Sequence, residues 1–355
     1  MKISPSSIRT LLGVSIGIAA LGTGASAQFE LSPAASSSVP FPAYGHIVLV
    51  VEENQQELTI IGNRSAPYTN SLARNGALLT NSYGTEHPSQ PNYLDIFSGS
   101  DQNVYDDNPV PGNPFSGQNL GAELLHADLS FAGFSEDLPY TGDTVDQFAA
   151  APGDPPGTHD YARKHNPWAN WQNDNFPASE TNPGSNYLPS TVNLTMDPFK
   201  EIAATGDYSL LPTVSIIVPN QQHDDHGVAG GASGSQLIAN GDTWLKNNLS
   251  AYAAWAKKNN SLLIVTWDED DYSATNKVPT IFYGAHIRPG RYAESGITSY
   301  TSLINGDTEP SGPPAYVPIE GVNHWNLLRT IEDIYRLPHA GASSTSRPIT
   351  DIFTR

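Results

Sequence analysis

Glu52, Glu53 and Asn54 follow without a break on the apolar run Ile47-Val48-Leu49-Val50-Val51. Leu262-Leu263-Ile264-Val265-Thr266-Trp267 likewise ends in Asp268-Glu269-Asp270-Asp271, and Val214-Ser215-Ile216-Ile217-Val218 runs into a loop holding His223, Asp224, Asp225 and His226. Carboxylates, amides and imidazoles at the ends of several buried strands fit one shared site better than three separate solvated turns. Hard oxygen donors with a few histidines suit a divalent cation, and a chain without cysteine has no thiolate to offer a softer one. Ser89 follows Pro88 at the expected start of a helix, where free N–H groups and the helix dipole favour an anion, although serines in that position are most often caps. The run Arg163-Lys164-His165 gathers cations in an acidic protein, either as plain surface charge or to hold an anionic group. Phosphoryl transfer asks for such a set: a nucleophile beside a cation, with fixed positive charge on the non-bridging oxygens.

The elements that must position these groups read as alternating strands and helices. An unbroken aliphatic run is the pattern of a strand buried on both faces of a parallel sheet, which delivers its ligands at the carboxyl end. Helices are expected over residues 66–76, with proline in the first turn and Gly76 at the close, over 121–126, from Asp197-Pro198 to residue 204, over 241–258 on the apolar stripe Trp244, Leu245, Leu249, Tyr252, Trp255, and over 325–337. Short strands are expected at 77–83, 129–134 and 279–284. The sum is an α/β fold, a three-layer αβα sandwich around a mostly parallel sheet. Residues 138–187 are rich in Pro, Gly, Asn and Asp with no clean period, as expected of an insertion that covers a site or runs over the surface.

Composition bounds the function. The chain has 355 residues, 38% hydrophobic, and a formal charge of −19, which argues against nucleic acid or an anionic membrane surface as a tightly held partner. Lys2 and Arg9, the apolar stretch 11–21 and Ala25-Ser26-Ala27 form a signal peptide over residues 1–27, too short in its apolar part to span a bilayer. A flexible arm over 28–42 and a single domain over 43–355 follow, so the mature chain is expected to be periplasmic or secreted without an integral membrane segment.

Several blocks, in order along most of the mature chain, resemble the bacterial and fungal phosphoesterase family, which holds acid phosphatases and phospholipases C within the alkaline-phosphatase-like superfamily. They are Val51-Glu52-Glu53-Asn54, Gly76-Ala77-Leu78-Leu79-Thr80-Asn81, His87-Pro88-Ser89-Gln90-Pro91-Asn92-Tyr93, Tyr161-Ala162-Arg163-Lys164-His165-Asn166-Pro167, the loop from Pro219-Asn220 to His226, Thr266-Trp267-Asp268-Glu269-Asp270-Asp271 and His324-Trp325-Asn326-Leu327-Leu328-Arg329. The resemblance implies an alkaline-phosphatase-like fold and a phosphoric ester hydrolase using one or two divalent ions.

By the same resemblance Ser89 is the nucleophile that becomes phosphorylated, and Glu53, Asn54, Ser89, Asp268 and Glu269 are metal ligands. His226, Asp224 and His324 match the half of the site that holds a second metal in two-metal relatives, with His226 and His324 in the catalytic set or acting on the phosphate and leaving group, and Asp224, His87, Asn92, Lys164 and His165 are expected near the substrate. His223 and Asp225 stand where the family pattern has Asn and Met, and Asn323 where relatives often carry Asp, which bears on the second metal. The expected activity is an exported, metal-dependent phosphomonoesterase of acid-phosphatase type acting on small phosphate esters. A phosphodiesterase of phospholipase C type at the same site and a non-enzymatic protein whose acidic loops bind a metal for stability are the alternatives. A sulfatase with a cysteine-derived formylglycine is excluded by the absence of cysteine.

Overall fold

A computed structural model describes residues 41–110, 112, 114–148, 159–228, 231–272, 275–303 and 312–354. The signal peptide and nearly all of the arm lie outside the described residues. In chain order the strands are β1 (Ile47–Glu52), β2 (Ala77–Leu79), β3 (Ser82–Tyr83), β4 (Phe131–Ser135), β5 (Gln147–Phe148), β6 (Tyr161–Ala162), β7 (Asn193–Thr195), β8 (Val214–Val218), β9 (Leu262–Trp267), β10 (Thr280–Gly284), β11 (Gly290–Tyr292), β12 (Thr298–Ser302), β13 (Tyr316–Glu320) and β14 (Val322–Asn323). The α-helices are α1 (Glu57–Ile60), α2 (Pro67–Asn75), α3 (Ser89–Ser98), α4 (Leu120–His126), α5 (Asp197–Thr205), α6 (Gly234–Ala256) and α7 (His324–Tyr335).

The main sheet has eight strands in the order β11-β2-β10-β9-β1-β8-β4-β7. β1 lies between β9 and β8, parallel to both, and β10 alone runs against its neighbours β9 and β2. The apolar run of β1 is explained by this central place. Ile47, Leu49 and Val51 enter a core with α3, α4 and α7, while Val48 and Val50 enter a second core with α2, α5 and α6. Helices therefore cover both faces and the three-layer α/β sandwich expected from the sequence is the observed fold.

Three local differences have physical causes. The strand expected over 77–83 is two strands: the ladder with β11 ends where Thr80 N–H donates to Tyr292 carbonyl (2.7 Å), and β3 pairs instead with β14. α6 begins at Gly234, seven residues before the apolar stripe becomes periodic. The segment 138–187 does more than cover: it carries the β5–β6 pair and two 3₁₀ turns, and buries Trp168 and Trp171 in the core. Gly133 on β4 makes room for that, since a Cβ there would lie 1.9 Å from Trp168 Cε2.

Candidate functional site

The carboxyl ends of β1 and β9 are locked side by side. Asp268 N–H donates to Glu52 carbonyl (3.0 Å), and Asn54 N–H donates to Asp268 Oδ1 (3.1 Å). Asn54 sits at φ +48°, a left-handed conformation that asparagine tolerates, so its side chain turns toward the same edge. Glu53 N–H donates to the carbonyl of Asp224 (2.6 Å), which draws in the loop after β8. α3 starts at Ser89, and the Ser89 hydroxyl lies 2.9 Å from Glu53 Oε2, 3.1 Å from Glu269 Oε1 and 3.3 Å from Asn54 Oδ1.

A hydroxyl has one hydrogen, so it can donate to only one of these three oxygens. The others face the Ser89 oxygen, and each other, as acceptors, with Ser89, Glu53 and Glu269 buried and Asn54 partly exposed. An oxygen cage of this kind is satisfied by a cation or by protons. A second grouping shares Glu53: one ligand atom each from Glu53, His165 and Asp224 lie within 4.8 Å of one another. His165 Nε2 is 3.1 Å from Glu53 Oε1, and His165 Nδ1 is 3.6 Å from Asp224 Oδ2. Among the described residues Glu53 Oε1, His165 Nε2, Asp224 Oδ2 and Asp268 Oδ2 have no hydrogen-bond partner, although all are buried. Four buried oxygen and imidazole atoms that make no hydrogen bond, Glu53 Oε1 and His165 Nε2 among them facing each other at 3.1 Å, are what a divalent cation would ligate, so the residues present fit the metal that the family resemblance implies.

Electrostatics agree. Burial raises the Glu53 carboxyl, with His226 and Lys164 opposing, and raises Asp224, Asp268 and Glu269 well above the carboxylate range, each reinforced by a neighbouring carboxylate. Burial pushes the His165 ring well below its usual value, which leaves a neutral imidazole able to ligate. Burial and mutual repulsion thus disfavour the ionised forms of these carboxyls, a penalty that the charge of a bound cation would offset.

The other expected residues divide into those that face the cage and those that brace it. His226 donates its backbone N–H to Asp224 Oδ1 (2.8 Å), and its ring lies 6.1 Å from that of His165. Its Nδ1 meets the carbonyl of Gly227 (2.6 Å), so in the neutral ring Nε2 is the acceptor. Lys164 pairs with Asp107, and its charge reaches Glu53 and Asp268. His324 places Nε2 on the carbonyl of Asp268 and is pushed down to about 4 by burial, so it holds a ligand strand from behind.

Three side chains are placed otherwise than expected. His165, expected near the substrate, lies with Glu53 and Asp224 in a trio that could hold a metal ion. His87, expected near phosphate, has Nδ1 on Glu269 Oε2 and its ring lies tilted 4.3 Å from that of Tyr272, so it braces Glu269. Asn92 cannot contact phosphate: its Oδ1 accepts from Thr85 N (3.0 Å), Thr85 Oγ1 (3.0 Å) and Glu86 N (2.9 Å), and its Nδ2 donates to the carbonyls of Glu86 and Pro88, each at 3.0 Å. It ties down the loop that enters α3. The departures His223 and Asp225 point elsewhere, His223 to Glu136 (2.9 Å) and Asp225 to the Trp267 indole N–H (3.2 Å), and Asn323 caps α7.

Arg163 is also structural, bound to Asp146 (3.0 Å) and to the carbonyls of Thr144 and Val110 (both 2.8 Å). Sequence reading missed Tyr93, whose ring stacks on His165 at 5.0 Å, and Asp107, which lay in a loop with no periodic signal.

Known proteins resemble this chain along most of its length. A model of the phosphoesterase family matches residues 49–338. The phosphatidylinositol-3-phosphatase of Mycobacterium tuberculosis is 42% identical over 312 residues, 88% of this chain and 84% of that protein. The phosphate-repressible acid phosphatase of Penicillium chrysogenum is 25% identical over 345 residues, 92% of this chain and 76% of that one. Among solved structures, a protein of the alkaline phosphatase superfamily from Vibrio parahaemolyticus has a TM-score of 0.50 at 12% identity, over 89% of this chain and 72% of that one, a likeness of fold.

Proposed function

This chain belongs to the phosphoesterase family and is a phosphoric ester hydrolase, and from that premise we propose that it is an exported, metal-dependent phosphomonoesterase acting through a phosphoserine at Ser89. The observation that carries the reading is the Ser89 hydroxyl at the start of α3, within 3.3 Å of oxygens of Glu53, Asn54 and Glu269 and close to buried ligand atoms that lack partners. Glu53, Asn54, Asp268 and Glu269 would hold one divalent ion with Ser89, and Glu53, His165 and Asp224 either share it or hold a second. A bound ion supplies charge that lowers the hydroxyl pKa and neutralises the phosphoryl oxygens.

The chain's own residues then have defined tasks. Ser89 Oγ attacks phosphorus in line as the P–O bond to the leaving alcohol breaks; the serine proton passes to Glu53 Oε2, the nearest acceptor at 2.9 Å, and the departing oxygen takes a proton from solvent. The Gln90 N–H and the Lys164 ammonium offer positive charge to the phosphoryl oxygens. His226 Nε2 serves as the base that takes a proton from the water that cleaves the phosphoserine. His87 and His324 keep Glu269 and Asp268 in place. The name of the Mycobacterium tuberculosis relative favours a phosphomonoester on an inositol lipid headgroup as one substrate, and the fungal relative favours small soluble monoesters.

Ser89→Ala should lower turnover of p-nitrophenyl phosphate by at least about three orders of magnitude while the melting temperature stays near that of the wild type. Acid quenching of the wild type with labelled substrate should trap a phosphoserine. Full activity in the alanine variant rejects the mechanism. Rates on p-nitrophenyl phosphate, its bis-ester and a phosphoinositide in mixed micelles rank the substrate classes.

A further inference from the structure

We infer that Asp107 is a specificity-determining residue: its carboxylate holds the two donors that a phosphoryl group on Ser89 would use, and so acts as a tethered competitor that doubly charged phosphoryl groups must displace. The inference rests on the reading of Ser89 as nucleophile. Asp107 Oδ1 accepts the backbone N–H of Gln90 (2.9 Å), and Oδ2 pairs with the Lys164 ammonium. Gln90 is the residue after Ser89, and its N–H is one of the first-turn donors of α3 that the helix itself leaves free.

The position of the carboxylate is built. Gln90 Nε2 donates to the carbonyls of Asp106 (2.8 Å) and Asn108 (2.9 Å), on either side of Asp107, so the same residue whose N–H is occupied also clamps the loop that occupies it. Asp106 tightens the turn by accepting from Asn108 N (3.1 Å) and Nδ2 (2.6 Å). The charge of Asp107 is felt inside the cage, where it opposes ionisation of Glu53 and Glu269.

One negative charge on two oxygens is a weaker partner for these donors than a phosphoryl dianion on three, and an anion that leaves Asp107 in place meets its repulsion. A dianionic monoester gains most from taking over Gln90 N–H and Lys164; a monoanionic diester gains less.

The test compares wild type with Asp107→Asn, which keeps the shape and the acceptor for Gln90 N–H but removes the charge. Inhibition by inorganic phosphate is measured alongside KM for p-nitrophenyl phosphate and for its bis-ester. The inference expects the phosphate inhibition constant and the monoester KM to fall about tenfold, with a smaller change for the diester. A rise in either constant, as would follow if Asp107 only holds Lys164 in position, overturns it, and so does no change or an equal change for both esters. Lys164→Gln should weaken phosphate inhibition in both backgrounds. Melting curves of each variant show that it is folded. Retained turnover in Ser89→Ala would reject the nucleophile, whereas failure of the Asp107 comparison with Ser89→Ala inactive rejects only the competitor role.

Discussion

Glu123 offers a stability test whose size follows from the structure. It lies on α4 with 2% exposure, and neither carboxylate oxygen has a hydrogen-bond partner among the described residues. Burial, with the nearby Glu332 carboxyl, pushes it from 4.5 up to about 9. The folded protein therefore keeps a proton that the unfolded chain releases above about pH 4.5. Because the folded value is the higher one, the contribution to stability is complete below the unfolded value and is lost as pH rises through the folded value. At pH 8 the proton retained across that interval costs the wild type about 5 kcal/mol.

Glu123→Gln removes the titration while keeping a neutral group of the same shape. Thermal unfolding of both proteins from pH 5 to pH 8 should show the variant melting about 8 °C higher at pH 8, with the gap closing toward pH 5. Glu332, raised by burial to about 7, gives the wild type a further decline in the same direction. A gap that is independent of pH, or a variant that melts lower at pH 8, would mean that Glu123 is ionised and paired in the folded protein, and the reasoning fails.

Two further outcomes are expected. His165→Ala removes the imidazole of the buried trio and should weaken divalent-cation binding to chelator-treated protein by about a hundredfold in titration calorimetry; unchanged affinity would place the metal elsewhere. Gly133→Ala brings a methyl group to 1.9 Å from Trp168 and should lower stability by about 3 kcal/mol in chemical denaturation, with loss of the indole's burial seen by fluorescence; wild-type stability would show that the packing against β4 is loose.

The central strands were legible because a strand covered on both faces is apolar along nearly its whole length, and β1, β8 and β9 are so apart from Glu52, Ser215 and Thr266. The polar groups after them stood out for the same reason. β12 and β13 were not legible: they form a separate two-stranded sheet at the surface, with a proline at 318 and alternating exposure, so no core imposed a pattern on them. Ser89, Glu53, Asn54, Asp268 and Glu269 were found together, since strand ends and a helix start deliver them wherever the intervening chain runs.

What residue types alone determined, then, is the three-layer fold and the chemistry available at one edge of its sheet, because burial of parallel strands and the donor properties of carboxylates act locally. Tertiary structure alone decided which neighbour each side chain serves. Asn92 lies one turn into the same helix as Ser89, yet it folds back on the 85–88 loop, while His165 arrives from an irregular insertion to meet Glu53. Asp107 comes from a loop with no pattern and takes the donors beside the nucleophile. Such assignments depend on distances between segments far apart in the chain, and no local periodicity encodes them.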